Sequence, residues 1–185
     1  MRTPRSIDDV ERLETSARSP RAHREAAAVL SAWAEHPHPD DEANPAELLS
    51  AAAWHLDQAG DTDAALQLHR RAVTAEGTTT PGARCLLHAA LIDAGRLDEA
   101  RHVADDLRRS GPTVLDCAGM AENFENVGDL QQAHRWASIG VNRIQLANDT
   151  DVDDDDFDVV ELLNVRRRIR QALGFPPDDL DEVDL

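Results

Sequence analysis

The sequence predicts an all-α protein built as a superhelical stack of antiparallel helical hairpins with capping helices at both ends. Only 3% of the residues are aromatic and none is Tyr, which disfavours a β-sandwich or barrel held by aromatic cross-strand pairs. Ala, Leu, Arg and Glu, which are strong helix formers, are abundant. One phrase also recurs: QAGDTDAALQLHRRA, DAGRLDEARHVADDL and NVGDLQQAHRWASIG. The repetition indicates three copies of one helical unit.

The three phrases align on Gly60, Gly95 and Gly128, which are 35 and 33 residues apart. That period is typical of stacked helical hairpins. Glycine takes the positive φ that ends one helix, and a following Asp accepts hydrogen bonds from the free amides that begin the next. Asp61 and Asp129 are therefore predicted to cap the second helix of their hairpins.

Small and apolar residues recur around each glycine at helical spacing. Ala65, Ala100 and Ala133 each follow their glycine by five residues, where a small side chain lets the two helices approach closely. The first helices have an apolar stripe of helical rather than strand periodicity. Its members are Leu49, Ala52, Ala53 and Leu56, then Leu87 and Leu91, then Cys117, Met120, Ala121 and Phe124.

These residues resemble the tetratricopeptide repeat family over about residues 46–147. The family pattern of a small residue, a larger one, a Gly-Asp turn and an Ala is matched by Ala53, Leu56, Gly60-Asp61 and Ala65, and by Ala121, Phe124, Gly128-Asp129 and Ala133. The closing proline occurs once, as Pro112, and the Trp and Tyr landmarks are replaced by Leu49, Leu56, Arg84 and Cys117. The resemblance implies a right-handed superhelical stack whose first helices line a concave groove. An Ala-rich helix bundle with a chance repeat is the alternative.

The organisation that follows has six parts. They are an N-terminal helical hairpin cap (1–36, with helices Ser6–Ser16 and Arg21–Glu35), a proline-rich linker (37–45), three repeats in 46–147 (46–80, 81–113 and 114–147), an acidic linker (148–156), a C-terminal capping helix (157–174) and an acidic tail (175–185). The ending VRRRIRQALGFPPDDLDEVDL resembles that of tetratricopeptide-like proteins from high-GC bacteria, which implies a cytoplasmic protein. Some members of that group have a Cys-rich zinc module, and no such cysteine cluster occurs here.

The charge limits the classes of partner. A formal net charge of −17 opposes direct binding to a nucleic-acid backbone or to an anionic membrane surface. No stretch has the roughly 20 apolar residues of a spanning helix, and the N-terminus lacks the apolar core of a secretory signal. A cytoplasmic protein with a basic protein or peptide partner is expected.

Catalytic signatures are absent from the sequence. It has no phosphate loop, no dinucleotide fingerprint and no nucleophile elbow around its Ser, Cys or His residues. Cys85 and Cys117 fall on predicted helices at positions where small residues pack, which favours buried free thiols over a nucleophile or a disulfide. We therefore expect a protein without catalytic activity and without a cofactor.

Two segments resemble metal-binding sequences without satisfying their rules. In HPHPDD (36–41), prolines hold the backbone extended and no second ligand pair stands at helical i, i+4 spacing, so a solvated loop is expected. DTDVDDDDFDVVE has the alternating Asp of a calcium loop, but Asp154 replaces the sharp-turn glycine and Glu161 comes one place too late. We interpret it as an acidic linker and helix N-terminal charge.

The predicted site is the groove lined by the first helices. Its candidates are Glu47, Ser50, Trp54, Asp57 and Gln58, then Ala89, Ile92 and Asp93, then Ala118, Glu122, Glu125 and Asn126. Trp54 is the candidate anchor, although packing against the N-terminal hairpin is an equal alternative. The expected function is a non-catalytic protein–protein interaction module that presents a rigid acidic groove. The alternatives are an acidic inhibitor or nucleic-acid mimic and a self-associating structural protein.

Overall fold

The computed structural model describes residues 4–147 and 157–181, which form helices and connecting segments without any strand. The all-α prediction is thereby confirmed. The helices in this part of the chain are α1 (Ile7–Ser16), α2 (Pro20–Glu35), α3 (Pro45–Gln58), α4 (Thr62–Thr74), α5 (Ala83–Asp93), α6 (Leu97–Ser110), α7 (Val114–Asn126), α8 (Leu130–Ala147) and α9 (Phe157–Ala172). They fall into two compact units, Met1–Gly95 and Arg96–Leu185. The boundary lies in the turn of the second predicted hairpin.

The glycine turns have the backbone that the repeat predicts. Gly60, Gly95 and Gly128 take φ values of 79°, 70° and 77°. In the first turn, the Gly60 N–H donates to the Asp57 carbonyl and the Asp61 N–H donates to the Leu56 carbonyl, both at 2.9 Å. These bonds satisfy carbonyls that the end of a helix leaves without partners. Positive φ disfavours any residue with a Cβ, which explains the recurrence of glycine at these places.

Capping follows the prediction at one of the two aspartates. The Asp129 Oδ1 atom accepts a 3.1 Å hydrogen bond from the Gln132 N–H at the start of α8, as expected of a cap. The prediction for Asp61 is wrong, because its carboxylate makes no capping bond. It instead accepts from the Arg24 guanidinium, at 2.6 Å from Nε and 3.0 Å from Nη2. The charged partner on α2 competes successfully with the backbone amides, since a guanidinium binds a carboxylate through two parallel hydrogen bonds.

In the first unit, α3 is the central helix and packs against α2, α4 and α5. Its start is fixed by a capping box, in which Asn44 accepts from the Glu47 N–H and Glu47 accepts from the Asn44 N–H. The core of this unit comprises Ala27, Leu30, Ala43, Leu48, Leu49, Ala52, Ala53, Leu68 and Ala72. Ala65, predicted to allow close helix approach, is fully buried. Small residues therefore bring α3 close to the helices on both sides.

In the second unit, α7, α8 and α9 pack against one another. The buried side chains include Cys117, Met120, Ala121, Ala133, Trp136, Ala137, Leu162, Val165 and Ile169. Trp136 is a core residue, whereas Trp33 in the first unit is only half-buried, with the Arg5 guanidinium 4.4 Å from its ring centre. The contact of α8 with α9 depends on Gly140, where a Cβ would lie 2.5 Å from Leu162 Cδ2.

The C-terminal segment is held by two arginines of α9 as far as Asp181. Arg166, which is buried, binds the carboxylates of Asp178 and Asp181. Arg170 binds the same two carboxylates at 3.1 Å and 3.0 Å. Hydrogen bonds from Arg166 lower the pKa of Asp178 to about 2. The acidic segment therefore neutralises buried guanidinium charge within its own unit.

Candidate functional site

A groove in the first unit is lined mainly by one face of α3 and one face of α5. It encloses a cavity of about 450 Å³. Glu47, Ser50, Trp54 and Asp57 recur at helical i, i+3 and i+4 spacing, so they share one side of α3. The lining, which we call the α3–α5 groove, consists of Glu14, Glu47, Ser50, Ala51, Trp54, Asp57, His69, Thr79, Thr80, Leu86, Ala89, Ala90 and Asp93.

Trp54 provides the largest apolar surface of this groove. Its side chain is 45% exposed, although a tryptophan in a monomeric domain is on average well buried. The rest of the indole packs edge-on against His23 of α2 and His55 of α3, with ring centres 5.8 Å and 4.9 Å away. The sequence left two alternatives for Trp54, an exposed anchor or packing against the N-terminal hairpin. The ring packs on that hairpin and also presents an exposed face to the groove.

The charge of the groove is negative. Among the described residues, its lining has four carboxylates, from Glu14, Glu47, Asp57 and Asp93, and no arginine. Glu47 also accepts from the Asn44 N–H at 2.8 Å, and an Asp57 oxygen lies 3.6 Å from His69 Nε2. Burial, together with the neighbouring charge of Glu11, raises the pKa of Glu14. A cation that entered the groove would relieve this concentration of like charge.

Two polar atoms of the lining make no hydrogen bond within the described part of the chain. They are the Ser50 Oγ and the His69 Nδ1, and both are buried. Buried polar atoms are normally paired, because leaving one without a partner costs about 1–3 kcal/mol. Both residues line the groove wall, so an occupant of the groove is a candidate partner for these atoms.

A pair of histidines supports Trp54 from behind. The Nδ1 atoms of His23 and His55 are 2.8 Å apart, so one ring must donate and the other accept. His55 is fully buried, and its Nε2 has no partner in the described structure. Burial and the proximity of His23 lower the pKa of His55. A neutral His55 is therefore favoured, and its contact with His23 joins α2 to α3 directly beneath the indole.

The structure places six of the twelve predicted site residues in the α3–α5 groove: Glu47, Ser50, Trp54, Asp57, Ala89 and Asp93. Gln58 is exposed and Ile92 half-buried, and neither lines the groove. These six residues lie on the faces of α3 and α5 that line the groove. Each of the other two residues is next in sequence to a lining residue, Asp57 or Asp93, and therefore points to another side of its helix.

The four remaining candidates, Ala118, Glu122, Glu125 and Asn126, lie on α7 in the second unit. Ala118 is buried, and Asn126 is exposed. Arg168 of α9 binds Glu122 at 3.2 Å and Glu125 at 2.8 Å. The two carboxylates thus share a cation of their own unit. We therefore leave α7 out of the proposed groove.

Sequence reasoning missed several lining residues. Leu86 and Ala90 share a helix face with the predicted Ala89 and Asp93, so periodicity alone was sufficient to find them. Glu14 comes from α1 and His69 from α4, and no local pattern points from these positions to the groove. Thr79 and Thr80 belong to the connection between α4 and α5, whose path depends on tertiary packing.

The described residues give little support to a nucleophilic cysteine or to a metal site. Neither Cys85 nor Cys117 is part of a disulfide, and both are buried. Burial raises the pKa of Cys117 to about 12, which makes its thiol a poor nucleophile. Within residues 4–147 and 157–181, no cluster of three or more His, Cys, Asp or Glu is arranged to hold a metal ion. The segment 36–41 forms a bonded turn, in which Asp41 accepts from the Arg5 and His38 N–H groups. The predicted acidic linker 148–156 lies outside the described residues.

No helix in the described ranges has the length and apolar character needed to cross a membrane. Comparison with protein-family models, with curated proteins and with solved structures found no match to this chain. The site is therefore interpreted from its own geometry and charge.

Proposed function

We propose that the first unit is a non-catalytic protein-interaction module whose α3–α5 groove binds a basic segment of a protein partner. The observation that carries the proposal is the exposed face of Trp54 among four carboxylates, in a groove without an arginine in its lining. Exposed tryptophan is typical of binding hot spots, and charge complementarity selects the partner.

The local structure supports binding without large rearrangement. The capping box at Asn44 and the buried faces of α3 fix the helix that provides Trp54 and Asp57. The ion pair between Arg24 and Asp61 further ties the end of this hairpin to α2. A preorganised surface loses less conformational entropy when a partner binds, so more of the contact free energy appears as affinity.

The matching occupant is a segment that combines Arg or Lys with an apolar side chain. Its cations would neutralise groove carboxylates, and its apolar group would cover the indole and the methyl groups of Ala51, Ala89 and Ala90. The net charge of −17 adds long-range attraction that increases the rate of encounter. Binding by this mechanism weakens as salt screens the charges.

The experiment is a titration of the protein with a synthetic peptide of about twelve residues that alternates Arg with Leu. Trp54→Ala is expected to weaken binding about tenfold or more, because it removes the apolar anchor. Asp93→Arg is expected to weaken it further by placing a like charge against the peptide. Isothermal titration calorimetry at low and at high salt measures both effects.

Asp40→Arg is the matched control, since it makes the same change of charge at an exposed acidic residue of the same unit outside the groove. It is expected to change the affinity less than twofold, because solvent and salt screen a charge outside the groove from the peptide. Equal loss of affinity in the control and in Asp93→Arg would show that net charge alone holds the peptide. No binding at low salt would refute the proposed function.

A further inference from the structure

We propose that Trp54, Asp57 and Asp93 form a subsite for a single guanidinium group, so that the partner inserts an arginine side chain in preference to lysine. This inference rests on the proposed function and deepens it, because it names the chemical group that the groove selects. Trp54 and Asp57 are three residues apart on the same face of α3, and Asp93 reaches the same groove from α5.

The two aspartates occupy electrostatically unfavourable positions. Asp57 lies in the last turn of α3 and Asp93 is the last residue of α5. The C-terminal end of a helix carries negative partial charge, so a carboxylate there is repelled. No arginine pairs with either residue in the described part of the chain, and Asp57 has only His69, at 3.6 Å. A bound cation would offset the repulsion at both places.

The other surfaces of the subsite favour guanidinium over ammonium. A guanidinium is planar and weakly hydrated, stacks on an indole face and offers five N–H donors in a fixed fork. The groove provides an exposed indole face, two carboxylates from different helices and the unpaired Ser50 Oγ as a further acceptor. An ammonium group is strongly hydrated and has three donors, so it would satisfy fewer of these groups and lose more hydration.

The same chemistry occurs elsewhere in the described part of this protein. The Arg5 guanidinium lies 4.4 Å from the ring centre of Trp33. The Arg168 guanidinium joins Glu122 and Glu125, with its Nε 3.0 Å from one Glu125 oxygen and its Nη2 3.2 Å from Glu122. The chain thus already pairs guanidinium with an indole and with two carboxylates of one helix. The α3–α5 groove presents both kinds of acceptor together without a guanidinium of its own.

The test compares three peptides that differ only in the residue that alternates with Leu. This residue is arginine, lysine or citrulline, which is the neutral isostere of arginine. Calorimetry is expected to give an affinity about tenfold higher for the arginine peptide than for the lysine peptide, and no measurable binding of the citrulline peptide. The double variant Asp57→Asn, Asp93→Asn and the variant Trp54→Ala are each expected to remove most of the preference for arginine.

The matched control is Glu25→Gln, Asp40→Asn, which removes the same charge from exposed positions outside the groove and should retain the preference. If the Asn double variant does not fold, the two single variants make the same comparison. Equal affinity for the arginine and lysine peptides, or a preference that survives in the Asn variants, would overturn the subsite while leaving the acidic groove as a binding site. Failure of both cationic peptides to bind would overturn the proposed function as well.

Discussion

Lowering the pH from 7 to 4 is expected to reduce the free energy of unfolding by about 3 kcal/mol through His88 alone. His88 of α5 has no exposed surface, and burial lowers its pKa to about 4 from an ordinary value of 6.5. Below pH 6.5 His88 binds a proton in the unfolded chain, whereas in the folded chain it stays neutral until the pH falls to about 4. The stabilisation from neutral His88 is therefore complete above pH 6.5 and is lost progressively down to pH 4.

Urea denaturation at a series of pH values measures this loss. His88→Leu, which keeps a buried apolar side chain and removes the titrating group, should reduce the slope of stability against pH between 6.5 and 4. The slope that remains includes His55, whose pKa is also lowered by burial. His36→Leu makes the same substitution at an exposed histidine and is the control. Asp178 contributes in a lower window, because its pKa of about 2 means that its stabilisation is lost as pH falls from about 4 towards 2. An undiminished slope in His88→Leu would contradict the assignment.

Replacing Gly140 by valine is expected to destabilise the second unit by about 2–4 kcal/mol. A Cβ at this position would lie 2.5 Å and 2.8 Å from the two Cδ atoms of Leu162, and 3.0 Å from Cys117 Cβ. Leu162 and Cys117 are fully buried, so neither can move aside without disturbing its own packing. The steric cost should exceed the gain that any residue has over glycine in a helix interior.

Asn142→Val is the matched control, since Asn142 is exposed on the same helix. It adds the same side chain and is expected to change stability by less than about 0.5 kcal/mol. Chemical denaturation followed by circular dichroism compares the two variants. Similar stability of Gly140→Val and Asn142→Val would show that α8 and α9 are not in close contact at this point.

Features that depend on a few neighbouring residues were predictable from the sequence. The glycine turns follow from the recurring phrase, because only glycine readily adopts the backbone that ends these helices. Ala65 and Ala133 were predictable as close-contact residues since they recur at a fixed distance from those turns. In the groove, the i, i+3 pattern identified Trp54 and Asp57 because one helix face needs no knowledge of the partner helix.

Features that depend on which distant groups meet were not predictable. Nothing in the sequence near Asp61 shows that Arg24 reaches it from α2. That contact determines that the Asp61 carboxylate forms an ion pair and not a helix cap. Likewise, the sequence around Glu125 contains no sign that Arg168 of α9 neutralises it. The carboxylates of α3 and the carboxylates of α7 look equivalent in sequence. The tertiary structure distinguishes them, because an arginine binds Glu122 and Glu125 and no arginine of the described residues binds Glu47 or Asp57.

Binding in the α3–α5 groove is tested most directly by titrating the isotopically labelled protein with the alternating Arg-Leu peptide and following its nuclear magnetic resonance signals. If the peptide binds there, the indole N–H signal of Trp54 and the backbone signals of Ser50, Asp57, Ala89 and Asp93 shift together and saturate at one peptide concentration. The signal of the buried Trp136 should stay in place. Shifts that spread evenly over the acidic surface, or that leave Trp54 unchanged, would contradict a binding site in the α3–α5 groove.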